Sequence, residues 1–146
     1  MRCLESLGAL AIVAGVIYAE ASPICTKVER TLVASVIKNR IKHPAFAQGK
    51  LKTMSDVVIQ PGAFTSLRDA SNRNWQTFLD TAISNPAKEE ALRLASGKFE
   101  AVPEIVYYHD RSIQKPKNWD NKWWRAIPVV ETAHFIFYKI AEKKIR

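Results

Sequence analysis

The sequence predicts a helix-rich α+β fold, a single domain with a small antiparallel sheet. Three observations carry that prediction. The first hundred residues place apolar side chains at helical spacing, punctuated by capping and breaking residues. Two later segments, "IVYYH" (105–109) and "HFIFYKI" (134–140), are β-branched and aromatic, as strands are. The 146 residues contain no internal repeat, low-complexity run or linker, and the length suits one domain, residues 1–146, with its own core.

Residues 4–19 are apolar on nearly every face and rich in helix formers, which predicts a helix through the middle of the core. Part of that run, "LGALAIVAGVI" (7–17), also has the length of an export-signal core, and Ala19-Glu20-Ala21 has the small-x-small form of a cleavage site. Arg2 is the one basic residue ahead of it, and Glu5 cancels its charge. No apolar run reaches the ~18 residues that a membrane span needs. Residues 28–40, "VERTLVASVIKNR", set Val28, Leu32 and Val36 on one stripe with Val33 and Ile37 beside it, an amphipathic helix. "HPAFAQGKLKT" is a loop by its Pro and Gly, and Thr53 with Asp56 three residues on signals a short capped helical turn.

The segment "VVIQPGAFTSLR" (57–68) has apolar flanks around Pro-Gly, and is expected to be turn and strand. Trp75, Phe78, Leu79, Ala82 and Ile83 fall on one helical face. Asn85-Pro86 starts a further helix, with Glu89 and Glu90 in the first turn where the dipole favours acids, and Gly97 ends it. Between the two strand segments, "DRSIQKPKNWDNKWWRAIP" is expected to be an aromatic, basic loop.

Lys and Arg outnumber Asp and Glu by 22 to 14, a net charge of +8 that favours polyanionic partners without choosing among nucleic acid, lipid and cell wall. A phosphate-cradling glycine loop, GxSxG, HExxH and paired CxxC are all missing from the sequence. His43, His109 and His134 lie far apart with no ligand spacing, so neither a metal nor another cofactor is expected. Cys3 and Cys25 have no finger or redox spacing and are expected to be buried thiols; a bridge between them needs the N-terminus retained. Trp119, Trp123 and Trp124, interleaved with Lys and Arg, suit stacking on nucleic-acid bases or on sugar faces, and equally suit anchoring a loop to the body.

Carboxylates remain. Cleavage of a glycosidic bond needs a carboxyl that holds its proton near neutral pH, which an apolar setting provides. Glu20 follows Val16, Ile17, Tyr18 and Ala19 and is the first charge after Glu5, the pattern of an acid held against a core. A solvated acid at a helix end has the same local sequence. Glu29, Asp56, Asp69 and Asp110 sit in more polar company and suit capping or surface positions.

Five separated segments resemble, in order, the SleB/CwlJ-type cell-wall hydrolase family. "IYAEAS" is similar to its "IYGEAR", "LVASVIKNRI" to "VAVAAVVLNRV", and "VVIQPGAFTS" to "VVYQPGQFS". "VYYHD" is similar to "LYYHN", and "NKWW" followed by "ETAHFIFYK" to a Trp-containing segment and a closing "IGxHxFY". The resemblance spans about residues 10–140. It implies a lysozyme-like fold, related to resuscitation-promoting factors, that cleaves peptidoglycan with a single catalytic Glu, here Glu20. It implies substrate-groove positions at Gln60, Phe64, Tyr108 and His109, to which Trp119 and Trp123 are added as sugar-facing candidates. It also makes residues 7–18 the first helix of the domain rather than an export signal. Ala19 replaces the family's Gly, the family's early "GE" pair is missing, and His134 lies one place ahead of the family's His, so no family role passes to it.

The function expected is a lytic transglycosylase cutting the MurNAc–GlcNAc β-1,4 bond with Glu20 as general acid and then base. The alternatives are a muramidase recruiting Glu29, Asp69 or Asp110 as a second carboxylate, and a non-catalytic peptidoglycan- or nucleic-acid-binding module. The expected partner is the peptidoglycan glycan strand, with no nucleic acid, for a monomer acting in the periplasm or at the exposed wall. Small size and basicity fit a compact lysin of the kind phages encode; a housekeeping or cortex-lytic role stays open.

Overall fold

The computed structural model describes residues 8–21, 23–64 and 72–143. Its elements run α1 (Ala9–Glu20), α2 (Lys27–Arg40), α3 (Met54–Val58), α4 (Arg73–Leu79), α5 (Pro86–Ala95), β1 (Tyr107–Asp110), β2 (Trp124–Glu131) and β3 (Phe135–Glu142). The strands form one antiparallel sheet in the order β1-β3-β2. No helix among the described residues is long and apolar enough to cross a membrane.

Helix α1 is buried on every side from Val13 to Ala19 and forms the axis of the domain. Polar surface on this helix would have to be desolvated, so its sequence is apolar all round. Each of Val13, Val16 and Ile17, at most 2% exposed, contributes about 1.5–3 kcal/mol of burial. Helices α3, α4 and α5 pack around α1. At Gly15 the approach is closest: a Cβ there would lie 2.0 Å from Cζ3 of Trp75, so the α4 indole rests directly on the α1 backbone. Tyr18 is buried to 1%, and its hydroxyl accepts from Asn85 Nδ2 at 3.0 Å.

The helix starts follow their caps. Thr26 and Thr53 each form a reciprocal capping box, with Glu29 and Asp56. Asn72 and Asn85 accept from the backbone N–H groups of Trp75 and Lys88. Three expectations are corrected here. Val57 and Val58 are helical rather than extended, because the Thr53–Asp56 box starts a helix that buries both; Gly62 (φ +75°) turns the chain after it. The rest of the expected strand, at 65–68, lies outside the described residues, as do Cys3 and Asp69. The α4 helix stops at Leu79, so Ala82 and Ile83 leave the helical face: Asp80 Oδ1 takes the Ala82 N–H, and Lys88 Nζ holds the carbonyls of Asp80 and Ile83. Val28 is 64% exposed; the buried stripe of α2 is Leu32, Val33, Val36 and Ile37, joined by Glu29 and Arg40.

The last five residues of the expected basic loop, 124–128, belong to strand β2, a further correction. It is an edge strand with Pro128 and a bulge at Val129, and its pattern of burial is irregular, so it carries no clean period-two signal. Glu29 joins α2 to the turn after β2. It is 1% exposed and accepts from Thr132 Oγ1 (2.7 Å), the His134 backbone N–H (3.0 Å), His134 Nδ1 (2.8 Å) and the Thr26 N–H (3.0 Å). Burial opposes its charge, but the bonds from Thr132, Thr26 and His134 outweigh this and lower its pKa from 4.5 to about 2.

Candidate functional site

Helix α1 ends at Glu20, where the apolar run stops, and this places the carboxyl at the mouth of a groove of about 490 Å³. Two backbone contacts fix that end: the Ala21 N–H closes on the Ile17 carbonyl, and Asn74 Nδ2 reaches the Ala19 carbonyl at 3.5 Å. Opposite stands Tyr108 on β1, whose hydroxyl donates to Glu20 Oε1 at 2.6 Å.

Helix α2 positions Tyr108. Four of its last six side chains bind the backbone that leads into β1. Ser35 Oγ accepts from the Val102 N–H, and Lys38 Nζ donates to the carbonyls of Gly97 and Phe99. Asn39 Nδ2 donates to the carbonyls of Val102 and Ile105, and Arg40 Nε to that of Val106. In β1 the alternation of side chains sends Tyr108 against Phe135 and Phe137, and Tyr107 to the other face. Desolvation pushes the Tyr108 phenol well above its ordinary pKa, and the charge and hydrogen bond of Glu20 push it further, against the pull of Arg40. Tyr108 is therefore a neutral donor to Glu20.

Arg40 supplies a fixed cation in the same groove. Its guanidinium lies 4.7 Å from the Phe46 ring centroid and 5.3 Å from those of Phe64 and Tyr107. Burial lowers its pKa, while the charge of Glu20 acts the other way. The far wall is Trp119, stacked on Tyr107 with centroids 4.5 Å apart and planes at 14°. Gln60, Pro61 and Gly62, in the turn after α3, close a third side with Phe64.

Of the residues singled out from sequence, Glu20, Gln60, Phe64, Tyr108 and Trp119 line this one groove. His109 and Trp123 do not. His109 is buried behind Trp119, packed between its ring and that of Tyr138, with its ring nitrogens on the Tyr138 hydroxyl and the Asp110 carbonyl. Trp123 is 53% exposed beyond the groove, with the Lys122 ammonium over its ring. Arg40 and Tyr107 are groove residues that sequence reasoning did not select. A signal for Arg40 existed: at i+7 from Val33 and i+3 from Ile37 it puts a cation on the buried stripe of α2.

Among the described residues that line the groove, Glu20 is the one carboxylate, and no His or Cys joins it, so the lining offers no metal ligand set. Glu29 is held by the β2–β3 turn, and Asp110 is bonded to Ser112 in its own turn. The arrangement offers one carboxyl able to give and take a proton, a neutral hydroxyl to orient it, a cation nearby, and aromatic faces for an apolar or sugar surface.

Two solved structures share this fold. The catalytic domain of the Bacillus cereus SleB protein matches with a TM-score of 0.60 and 22% identity, over 90% of this chain and 89% of that one. The catalytic domain of the germination-specific lytic transglycosylase SleB from Bacillus anthracis matches at the same TM-score and identity, over 95% of this chain and all of that one. At this identity the likeness establishes a common fold. No curated protein sequence matches. The model of the Cell Wall Hydrolase family matches residues 26–138, a span that begins just after Glu20 and contains the rest of the groove from Arg40 to Trp119. With most of its length covered by that match, the chain belongs to the cell wall hydrolase family.

Proposed function

We propose that this cell wall hydrolase is a lytic transglycosylase that cuts the β-1,4 bond between N-acetylmuramic acid and N-acetylglucosamine. The observation that carries this is the single carboxylate, Glu20, among the described residues lining the groove. Protonated Glu20 gives its proton to the glycosidic oxygen as the bond to C1 breaks, which releases the N-acetylglucosamine side as an alcohol. The resulting carboxylate takes the proton of the muramic acid C6 hydroxyl, whose oxygen closes onto C1. The product is a 1,6-anhydro ring, water is not consumed, and Glu20 ends protonated for the next cycle. Tyr108 keeps the carboxyl turned toward the bond in both protonation states. An inverting hydrolase instead needs a second carboxyl ~6.5–9.5 Å away with a water between.

Trp119 and Tyr107 suit the apolar faces of pyranose rings, and Arg40 suits an anionic or strongly polar substituent on the strand. One of the similar structures carries the description of a lytic transglycosylase, which supports the same chemistry. The test is digestion of purified peptidoglycan by the wild-type chain and by Glu20→Gln, with products read by mass spectrometry. The expected result is 1,6-anhydromuramoyl ends from the wild type and none from the variant. Reducing ends would replace this mechanism with hydrolysis; equal activity in both proteins would remove Glu20 from the chemistry.

A further inference from the structure

On the side of Tyr108 away from the groove, three elements bring together a soft ligand set that is scattered in sequence. Cys25 comes from the connection between α1 and α2, Glu29 from the first turn of α2, and His134 from the turn between β2 and β3. Cys25 Sγ, a Glu29 carboxylate oxygen and a ring nitrogen of His134 all lie within 4.8 Å of one another. We propose that Cys25, Glu29 and His134 form a zinc-binding site, with the fourth position taken by water.

The chemistry favours zinc over the harder cations. A thiolate and an imidazole select borderline-soft divalent ions such as Zn²⁺, whereas Mg²⁺ and Ca²⁺ need oxygen ligands. One Cys thiolate and one Glu carboxylate neutralise the dication, so metal entry leaves no net charge beside the apolar cluster of Leu32, Val33, Phe135 and Phe137. Binding releases the Cys25 thiol proton to solvent, and the Sγ lone pair forms the bond to the metal.

The Glu29–His134 pair needs little change, with Oε1 also holding the Thr26 N–H at 3.0 Å, and Cys25 Sγ, within 4.8 Å, closes in on binding. His134 Nδ1 and Glu29 Oε1 are 2.8 Å apart, and tetrahedral zinc would hold such a pair about 3.4 Å apart. The other carboxylate oxygen, Oε2, keeps the Thr132 hydroxyl at 2.7 Å and the His134 backbone N–H at 3.0 Å, which orient the ligand from behind. The Cys25 and Glu29 side chains are buried, while that of His134 is 36% exposed and gives the ion a way in. A metal here would tie the segment that follows Glu20 to the hairpin of the sheet, at the back of the catalytic pair.

The test titrates the full chain, treated with chelator and held reduced by a phosphine, with Co²⁺ as a spectroscopic probe and then with Zn²⁺. The expected result is a near-ultraviolet thiolate-to-cobalt band at one equivalent, visible bands of tetrahedral intensity, and their loss on adding Zn²⁺. Zn²⁺ at a hundred times its dissociation constant should raise the thermal midpoint by roughly 10 °C, and Mg²⁺ should not. Cys25→Ser should lose the near-ultraviolet band, and His134→Gln should weaken cobalt binding at least tenfold should Cys25→Ser fail to fold. Absence of the band in the wild type, or its survival in Cys25→Ser with ligation by Cys3, overturns the site.

Discussion

Replacing Gly15 by Ala sets two effects of known size against each other. In a helix interior, Gly→Ala is worth about 0.5–1 kcal/mol in favour of folding. Against this, the new methyl would sit 2.0, 2.5 and 2.9 Å from Cζ3, Cη2 and Cε3 of Trp75. Carbon atoms rest at about 3.5–4.0 Å, so the indole must retreat by roughly 1.5 Å. It has little room: Trp75 is 7% exposed and stacks on Phe78 at 6.1 Å. Overpacking of this kind costs about 1–3 kcal/mol, and backbone-to-ring contact belongs at the upper end. The net expectation is a loss of about 2 kcal/mol, read as a lower urea midpoint at unchanged m in far-UV circular dichroism. Adding Trp75→Leu to the variant should give a coupling above about 1 kcal/mol, because the smaller side chain removes the collision. If Gly15→Ala instead gains about 1 kcal/mol, the ring moves freely and α4 does not dock on the α1 backbone as described.

Four further outcomes follow from named contacts. Tyr108→Phe should lower kcat by about 10–100-fold with KM nearly unchanged, and should also cost about 1.5–3 kcal/mol of stability, since its bond to a charged acceptor is already made in the free protein; an unchanged kcat in the folded variant would make Tyr108 a packing residue. Asn39→Ala leaves the carbonyls of Val102 and Ile105 without their donor and should cost about 2 kcal/mol by urea unfolding. Trp119→Ala should raise KM about tenfold with a small change in kcat, the signature of lost sugar stacking. With chelator present, Glu29→Gln should be about 3 kcal/mol less stable than wild type at pH 7, the equivalent of a fall from 4.5 to about 2. Its folded pKa is depressed, so that stability is full above about 4.5 and is lost as pH falls toward 2; the two urea midpoints should converge there, and parallel curves would refute the assignment.

The helices were legible where one local device decided them. Thr53 and Asn85 mark their starts by side chains that the backbone needs, and the all-apolar run before Glu20 forms the core helix. The lining of the groove was legible in Glu20, Gln60, Phe64, Tyr108 and Trp119. Strand β2 was not, because an edge strand with a proline and a bulge satisfies only one neighbour and keeps a loop-like composition. Ala82 and Ile83 misled for a similar reason: the contact that ends α4 comes from Lys88, beyond the window in which periodicity is read. Arg40 and Glu29 were hidden by their charge. Each is buried only because a distant segment supplies its partners, the Val106 carbonyl and nearby rings for one and the Thr132–His134 turn for the other.

Helix α2 grips the approach to β1 with Ser35, Lys38, Asn39 and Arg40 at one end and the β2–β3 turn with Glu29 at the other. The sheet is thus hung from a helix as a bridge deck is from its cable, and the Glu20–Tyr108 distance is referred to α2 rather than to the loops around the groove. Residues 111–123, which carry Trp119, hang outside that suspension. They can lengthen, shorten or change their aromatic faces to follow a different wall polymer, while Glu20 and Tyr108 keep their spacing.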